Sequence, residues 1–135
     1  EVVCGEKMSR FLTIYKVKKF SEAIELAIQI QEYQGAGHSL GIHTQNENRA
    51  HEIAMSAKTC RVIVNQAHCF ATGGFFNNGL PFSLSMGCGS WGGNSIDGNL
   101  NWEHFVNKVR VVQTIEENKP DLEEIFGNYW GETSQ

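Results

Sequence analysis

An alternation of strand-like and helix-like segments across residues 10 to 65 constrains this chain more than any other feature. "RFLTIYKV" (Arg10 to Val17) alternates and is rich in β-formers, the pattern of a strand. Ser21 stands where it can N-cap "EAIELAIQIQEY", whose Ala23, Ile24, Ala27, Ile28 and Ile30 make a broad apolar helical face. "GAG" then breaks the helix, and "SLGIHT" (Ser39 to Thr44) has the character of a second strand. Asn46 or Asn48 can cap the next helix, where Ala50, Ile53, Ala54 and Ala57 fall at i, i+3, i+4 and i+7. "RVIVN" (Arg61 to Asn65) is a short β-branched run of the kind found in buried strands. Strands joined by helical crossovers run parallel, so the expected class is α/β with a parallel sheet.

Beyond Gln66 the character changes. Eight of the fourteen glycines lie between Gly73 and Gly98, mixed with Phe70, Phe75, Phe76, Phe82 and Trp91. A long irregular stretch is either functional or disordered, and the aromatic content points to a packed, functional one. A short helix is expected near "NWEHFVNK", then a strand, "VRVVQTI" (Val109 to Ile115). Asp121 and Glu124 have the D-x-x-E spacing of a capping box opening "LEEIF", with Gly127 placed to end that helix.

Within the glycine-rich stretch, "GCGSWGGNS" sets Gly87, Gly89 and Gly92 at the G-x-G-x-x-G spacing of dinucleotide-binding loops. Such a loop must follow a strand, open a helix and be followed about 20 residues on by an acid ending the next strand. Here "LPFSLSM" precedes it and turn-forming "GNSIDGNLN" follows, while Asp97 comes too early and Glu103 falls inside the expected short helix. The glycines are therefore expected to serve tight turns and close backbone approach.

At 135 residues the chain suits one domain with a real core. A net charge of −4 without long runs of either sign excludes the basic face that nucleic acid requires. No apolar run approaches the roughly 20 residues of a membrane span. The opening "EVVCGEKMSR" lacks an initiator Met and a signal-peptide pattern, so the chain is expected to be entered in mid-course. Cys4, Cys60, Cys69 and Cys88 fall at irregular spacing, which fits reduced thiols in a cytoplasmic protein better than a disulfide scaffold.

Three places carry possible chemistry. His38, in "GAGHSLG", lies at a helix-to-strand junction among Gly35, Gly37 and Gly41, as either a structural histidine or an acid–base group. "NQAHCFATGG" puts Asn65, His68 and Cys69 just past a buried strand, where α/β folds place ligand contacts. Neighbouring side chains on an extended chain point to opposite sides, so His68 is poorly placed to activate Cys69, which is either a pocket-lining thiol or part of a Cys/His pair. A zinc site from Cys60, Cys69, Cys88 and a histidine lacks ligand spacing, and no metal is expected.

Four ordered blocks then give a resemblance: "GEKMSRFLTIYKVKKFSEAIELA", "GAGHSLGIHT", "TCRVIVNQ" and "PFSLSMGCGSWGGNS". From Gly5 to about Thr114 the chain resembles the C-terminal part of a CoA-acylating aldehyde dehydrogenase, most like the sulfoacetaldehyde and succinate-semialdehyde branch. The resemblance implies the aldehyde dehydrogenase fold, with residues 1–108 the later half of a catalytic domain and 109–135 an oligomerisation strand and C-terminal tail. It implies oxidation of a small aldehyde with NAD or NADP and coenzyme A to an acyl-CoA, through a cysteine thioester, or the reverse. It carries His38 over as a catalytic proton manager and Glu6 as a contact near the nicotinamide ribose. Asn65, His68, Cys69, Gly87, Gly89 and Gly92 become candidates for the aldehyde and acyl pocket, and Val109 to Ile115 a strand that joins a neighbouring subunit in a homo-oligomer.

Arg10 departs from the family's usual Pro, and the family's nucleophilic cysteine belongs to a S-C-x-S-E type segment that these residues lack. The dinucleotide-binding domain is also lacking, so the chain by itself is expected to be inactive without the remainder of the same enzyme. The alternatives are a self-standing α/β module holding CoA or a nucleotide on its glycine–aromatic loop, or an assembly piece whose late strand docks another chain.

Overall fold

The computed structural model describes Gly5 and residues 7 to 132; Glu6 lies outside the described residues. The elements are α1 (Phe20–Gln34), β1 (Leu40–Ile42), α2 (Glu47–Ser56), β2 (Val62–Val64), the single-turn α3 (His68–Ala71) and α4 (Leu122–Glu132). Two 3₁₀ turns, Ser90–Gly92 and Trp102–Phe105, sit between α3 and α4. β1 and β2 pair in parallel with Leu40 opposite Val62, Gly41 opposite Ile63 and Ile42 opposite Val64. A further parallel bridge joins Gly37 to Thr59. The fold is thus α/β with a small parallel sheet, as the alternation requires.

The core forms where the apolar stripes of the two helices meet the sheet. Ile24 of α1 and Ile53 of α2 are buried with Ala57, and Phe20, Ile28, Leu40, Ile42 and Val62 pack around them. Asn46 caps α2 by accepting a hydrogen bond from the Asn48 backbone N–H at 3.1 Å. α1 starts two residues earlier than an N-cap at Ser21 implies. Lys19 is the N-cap residue, and the Glu22 carboxylate reaches back to accept from the Lys18 backbone N–H at 3.1 Å.

The glycine-rich segment folds into an irregular antiparallel hairpin. The backbone N–H of Gly87 donates to Gly98, that of Gly89 to Ile96 and that of Leu100 to Ser85, each at 2.9 Å. Gly89 (φ 59°) and Gly93 (φ 68°) adopt left-handed backbone in its turn, where a side chain would be strained. Phe70, Phe75, Phe76 and Phe82 form a row of ring contacts with centroids 5.2 to 6.3 Å apart, yet all four stay exposed.

Two expected strands do not form. Arg10 to Val17 and Val109 to Ile115 have no ladder partner among the described residues. Phe11 and Leu12 are 81% and 84% exposed, Val111 and Val112 86% and 88%. Alternation tells a chain to present two faces; a strand also needs a neighbour for its backbone groups. At the C-terminal end, α4 runs through Gly127 to Glu132 instead of stopping there. Asp121 does cap it, accepting from the Glu123 backbone N–H at 3.0 Å. The "NWEHF" segment becomes a 3₁₀ turn, closed by Asn101 and His104 in a capping box that occupies His104 structurally.

Candidate functional site

The N-terminal segment, the end of α1, the start of β1 and the start of α3 enclose a cleft of about 820 Å³. Its wall includes Lys7, Tyr15 and Gln34 together with His38, Ser39 and His68. Lys7 donates from Nζ to Thr13 Oγ1 at 2.8 Å and to the Gly5 carbonyl at 3.0 Å, which ties the N-terminal segment to itself along this wall.

Ser39 joins the two histidines across 29 residues of sequence. Its Oγ lies 2.6 Å from His38 Nδ1 and 2.7 Å from His68 Nε2. His68, at the start of α3, turns its ring back against Gly41 of β1, which brings Nε2 to Ser39 just before that strand. Gly41 leaves room for the His68 ring, since a Cβ at that position would lie 2.8 Å from Nδ1. That crowding removes water from one side of an otherwise exposed ring. Burial, with repulsion from His38 second, holds the His68 imidazole below the ordinary histidine value of 6.5.

The backbone of His38 is anchored from behind by Arg61, which is buried. Arg61 Nη1 donates to the carbonyls of His38 and Gly87 at 3.0 Å each, Nε to Asn99 Oδ1 at 3.0 Å and Nη2 to the Asp97 carbonyl at 3.3 Å. Asn99, the most deeply buried large side chain, passes the connection on by donating from Nδ2 to the carbonyls of Thr72 and Pro81 at 2.9 and 2.8 Å. One guanidinium therefore fixes the bend carrying His38 to the glycine-rich hairpin.

The three glycines of the G-x-G-x-x-G spacing line the inside of that junction. A Cβ at Gly87 would run into the Ile96 carbonyl, and one at Gly92 into Cys88 Cβ. Their bare backbones admit the protein's own atoms, and a three-residue 3₁₀ turn follows where a dinucleotide site needs a helix. The hairpin does not fit a pyrophosphate.

The remaining candidates separate. Asn65 holds a left-handed backbone (φ 54°) at the other end of β2. Its Oδ1 accepts from the Thr44 N–H at 2.8 Å and its Nδ2 donates to the Thr44 carbonyl at 2.7 Å. Cys69 is exposed on α3. No hydrogen bond links it to His68 among the described residues, since His68 Nε2 faces Ser39. Both residues lie on a helical turn, so the separation comes from the direction of the ring and not from extended backbone. Cys60 is held above the usual thiol range by burial, with Arg61 opposing and Asp97 and Cys88 adding to the rise, so it stays a neutral thiol. No three His, Cys, Asp or Glu side chains converge as metal ligands among the described residues, and no described helix is long and apolar enough to cross a membrane.

Sequence reasoning missed Ser39 and Arg61 as organisers of the site. Ser39 follows His38 inside a glycine-framed block, and Arg61 is a lone charge leading an apolar strand. A charge in that position signals a buried, fully hydrogen-bonded group.

Curated relatives match most of the chain in sequence. Sulfoacetaldehyde dehydrogenase (acylating) of Cupriavidus necator is 48% identical over 126 residues, 93% of this chain and 26% of its own length. Succinate-semialdehyde dehydrogenase (acetylating) of Clostridium kluyveri is 42% identical over 128 residues, 94% of this chain and 28% of its own length. Over most of its own length the chain is similar to a part of the acylating aldehyde dehydrogenases. It spans about a quarter of the length of these relatives. The fold agrees: a probable aldehyde dehydrogenase from Listeria monocytogenes superposes with a TM-score of 0.74 at 31% identity, over 89% of this chain and 25% of that one. An acetylating aldehyde dehydrogenase from Geobacillus thermoglucosidasius gives 0.65 at 31% identity, over 78% of this chain and 23% of that one. No family model matches the chain.

Proposed function

We propose that this chain forms part of an NAD(P)-dependent, CoA-acylating aldehyde dehydrogenase of the cytoplasm. The reaction is aldehyde + CoA–SH + NAD(P)⁺ → acyl-CoA + NAD(P)H + H⁺, through a cysteine thioester, and it is reversible. Residues 1–108 supply the later half of the catalytic domain; 109–135 supply a strand for a homo-oligomer and the C-terminal tail. NAD(P) is held by a domain other than these residues, with Glu6 as a contact near it.

His38 is the group that carries this function. Thioester chemistry requires a group that takes and returns protons as thiol and hydroxyl groups react. His38 borders the cleft with its backbone tied by Arg61 and its Nδ1 engaged by Ser39, which leaves Nε2 for a reacting group. His68 and the hairpin of Gly87, Gly89 and Gly92 form the acyl-pocket side around it, with Asn65 just past β2 and Cys69 on α3 as its outlying members. That these blocks run through much longer relatives favours a segment of an enzyme over a self-standing module.

The test is turnover by the full-length enzyme, followed as NAD(P)H formed from aldehyde plus CoA. His38→Gln should lower kcat/KM by about 10²- to 10⁴-fold, the usual contribution of one acid–base group. The 135-residue chain alone should show no turnover. Turnover by the chain alone, lost in Cys69→Ala, would overturn the assignment and make Cys69 the nucleophile.

A further inference from the structure

We propose that Ser39 and His68 form, with His38, a proton relay that carries the proton released in each turnover from the reacting groups to solvent. The relay rests on the assignment of His38 above and adds two residues and a direction to it.

A serine hydroxyl has one proton and stands here between two imidazole nitrogens, 2.6 Å from His38 Nδ1 and 2.7 Å from His68 Nε2. It can donate to only one of them and must accept from the other. When His38 Nδ1–H donates to Ser39 Oγ, the Ser39 hydroxyl donates to His68 Nε2, and His68 carries its own proton on Nδ1. The three groups then form one directed chain whose hydrogen bonds strengthen one another. Both distances lie at the short end of the hydrogen-bond range.

Structural need does not account for this arrangement. Both rings are exposed, and exposed polar groups pair with water at little cost. Yet the surroundings are shaped for the chain: glycine at position 41 admits the His68 ring, and Arg61 fixes the carbonyl of His38.

The proton balance closes. The S–H bond of CoA breaks and its proton passes to His38 Nε2. The Nδ1 proton of His38 moves to Ser39 Oγ, the Ser39 proton moves to His68 Nε2, and the doubly protonated His68, an exposed ring with Nδ1 against Gly41, gives its Nδ1 proton to water as it turns off that glycine. No oxidant or reductant takes part in these transfers. Solvent exchange at the two exposed rings restores the starting direction. His68 suits the outer station because desolvation against Gly41 and repulsion from His38 make it hold a proton weakly, so a proton that arrives is passed on. The other titratable groups on the cleft wall are Lys7 and Tyr15, and Lys7 is held at Thr13 and Gly5.

Four variants of the full-length enzyme test the relay: His38→Gln, Ser39→Ala, Ser39→Thr and His68→Gln, each checked for an unchanged Tm. Ser39→Ala and His68→Gln should slow single-turnover acyl-CoA formation by about 10- to 100-fold, less than loss of the primary acid–base group. Ser39→Thr keeps the hydroxyl and should stay within about threefold of the parent. Added imidazole buffer should restore His68→Gln, which lacks only the outer station, and should not restore Ser39→Ala to the same extent. Parental rates in His68→Gln, or a loss in His68→Gln that imidazole leaves untouched, would overturn the relay. If His68→Gln is unaffected while His38→Gln is slow, the relay falls and the role of His38 stands. If the parent enzyme does not couple aldehyde oxidation to CoA, it is the underlying assignment that fails.

Discussion

The segment from Gly37 to Leu100 and the two extended arms on either side of it carry equally strand-like and apolar residues, with opposite results. In the first, short strands pair, a hairpin closes on itself, and Arg61 and Asn99 tie the pieces together through buried hydrogen bonds. In the arms, Phe11, Leu12, Val111 and Val112 lie open to solvent and their backbone finds no ladder among the described residues. The amino-acid pattern is similar, and only the presence of a neighbour differs. β-propensity measures fit to a surface that another strand must supply.

That contrast can be broken most forcefully at Arg61. Arg61→Ala would strand the oxygens of His38, Gly87, Asp97 and Asn99 that it now satisfies, and should destabilise the full-length enzyme by on the order of 4 kcal/mol. A drop in the guanidinium unfolding midpoint would report it; a midpoint close to the parent's would mean that water replaces the guanidinium and that the hairpin is not fastened from within. Arg61→Lys should recover only part of the loss, because one ammonium cannot span four acceptors.

A smaller effect is expected from Gly37→Ala. Its φ of 102° is strained for any side chain, and its Cβ would meet the Cys88 carbonyl. The cost should be about 2–3 kcal/mol. Gly35, with a φ of 115° and open space where a Cβ would stand, provides the control. Gly35→Ala should cost only the backbone strain, about 1 kcal/mol, and equal losses at both positions would show that close approach to the hairpin contributes nothing. The smallest effect on stability belongs to the arms. Val111→Lys should leave protomer stability within about 0.5 kcal/mol, since nothing among the described residues covers it. It should nevertheless shift the full-length enzyme to smaller assemblies in light scattering. An unchanged mass would remove the proposed role of this strand in assembly.

The same contrast explains what is legible in the sequence. β1, α2 and β2 can be read from local periodicity because their partners lie within a few dozen residues. Arg10 to Val17 and Val109 to Ile115 read as strands for the same local reason, but pairing is decided by other parts of the fold. The glycine motif fails on its flanks alone, and the clashes at Gly87 and Gly92 supply the physical reason for those glycines. His38 and His68 can each be singled out from their motifs. Ser39 between them cannot, because its role is a contact across 29 residues.

Asn65 shows how one side chain can stand in for a peptide unit. Its backbone turns left-handed just past β2 while its amide gives the Thr44 backbone one acceptor and one donor, much as another rung of sheet would. Aspartate has nearly the same outline but no donor, and would point a negative oxygen at the Thr44 carbonyl. The end of the sheet is therefore closed by both ends of one amide, and the mildest change in shape at this position reverses the polarity of one of them.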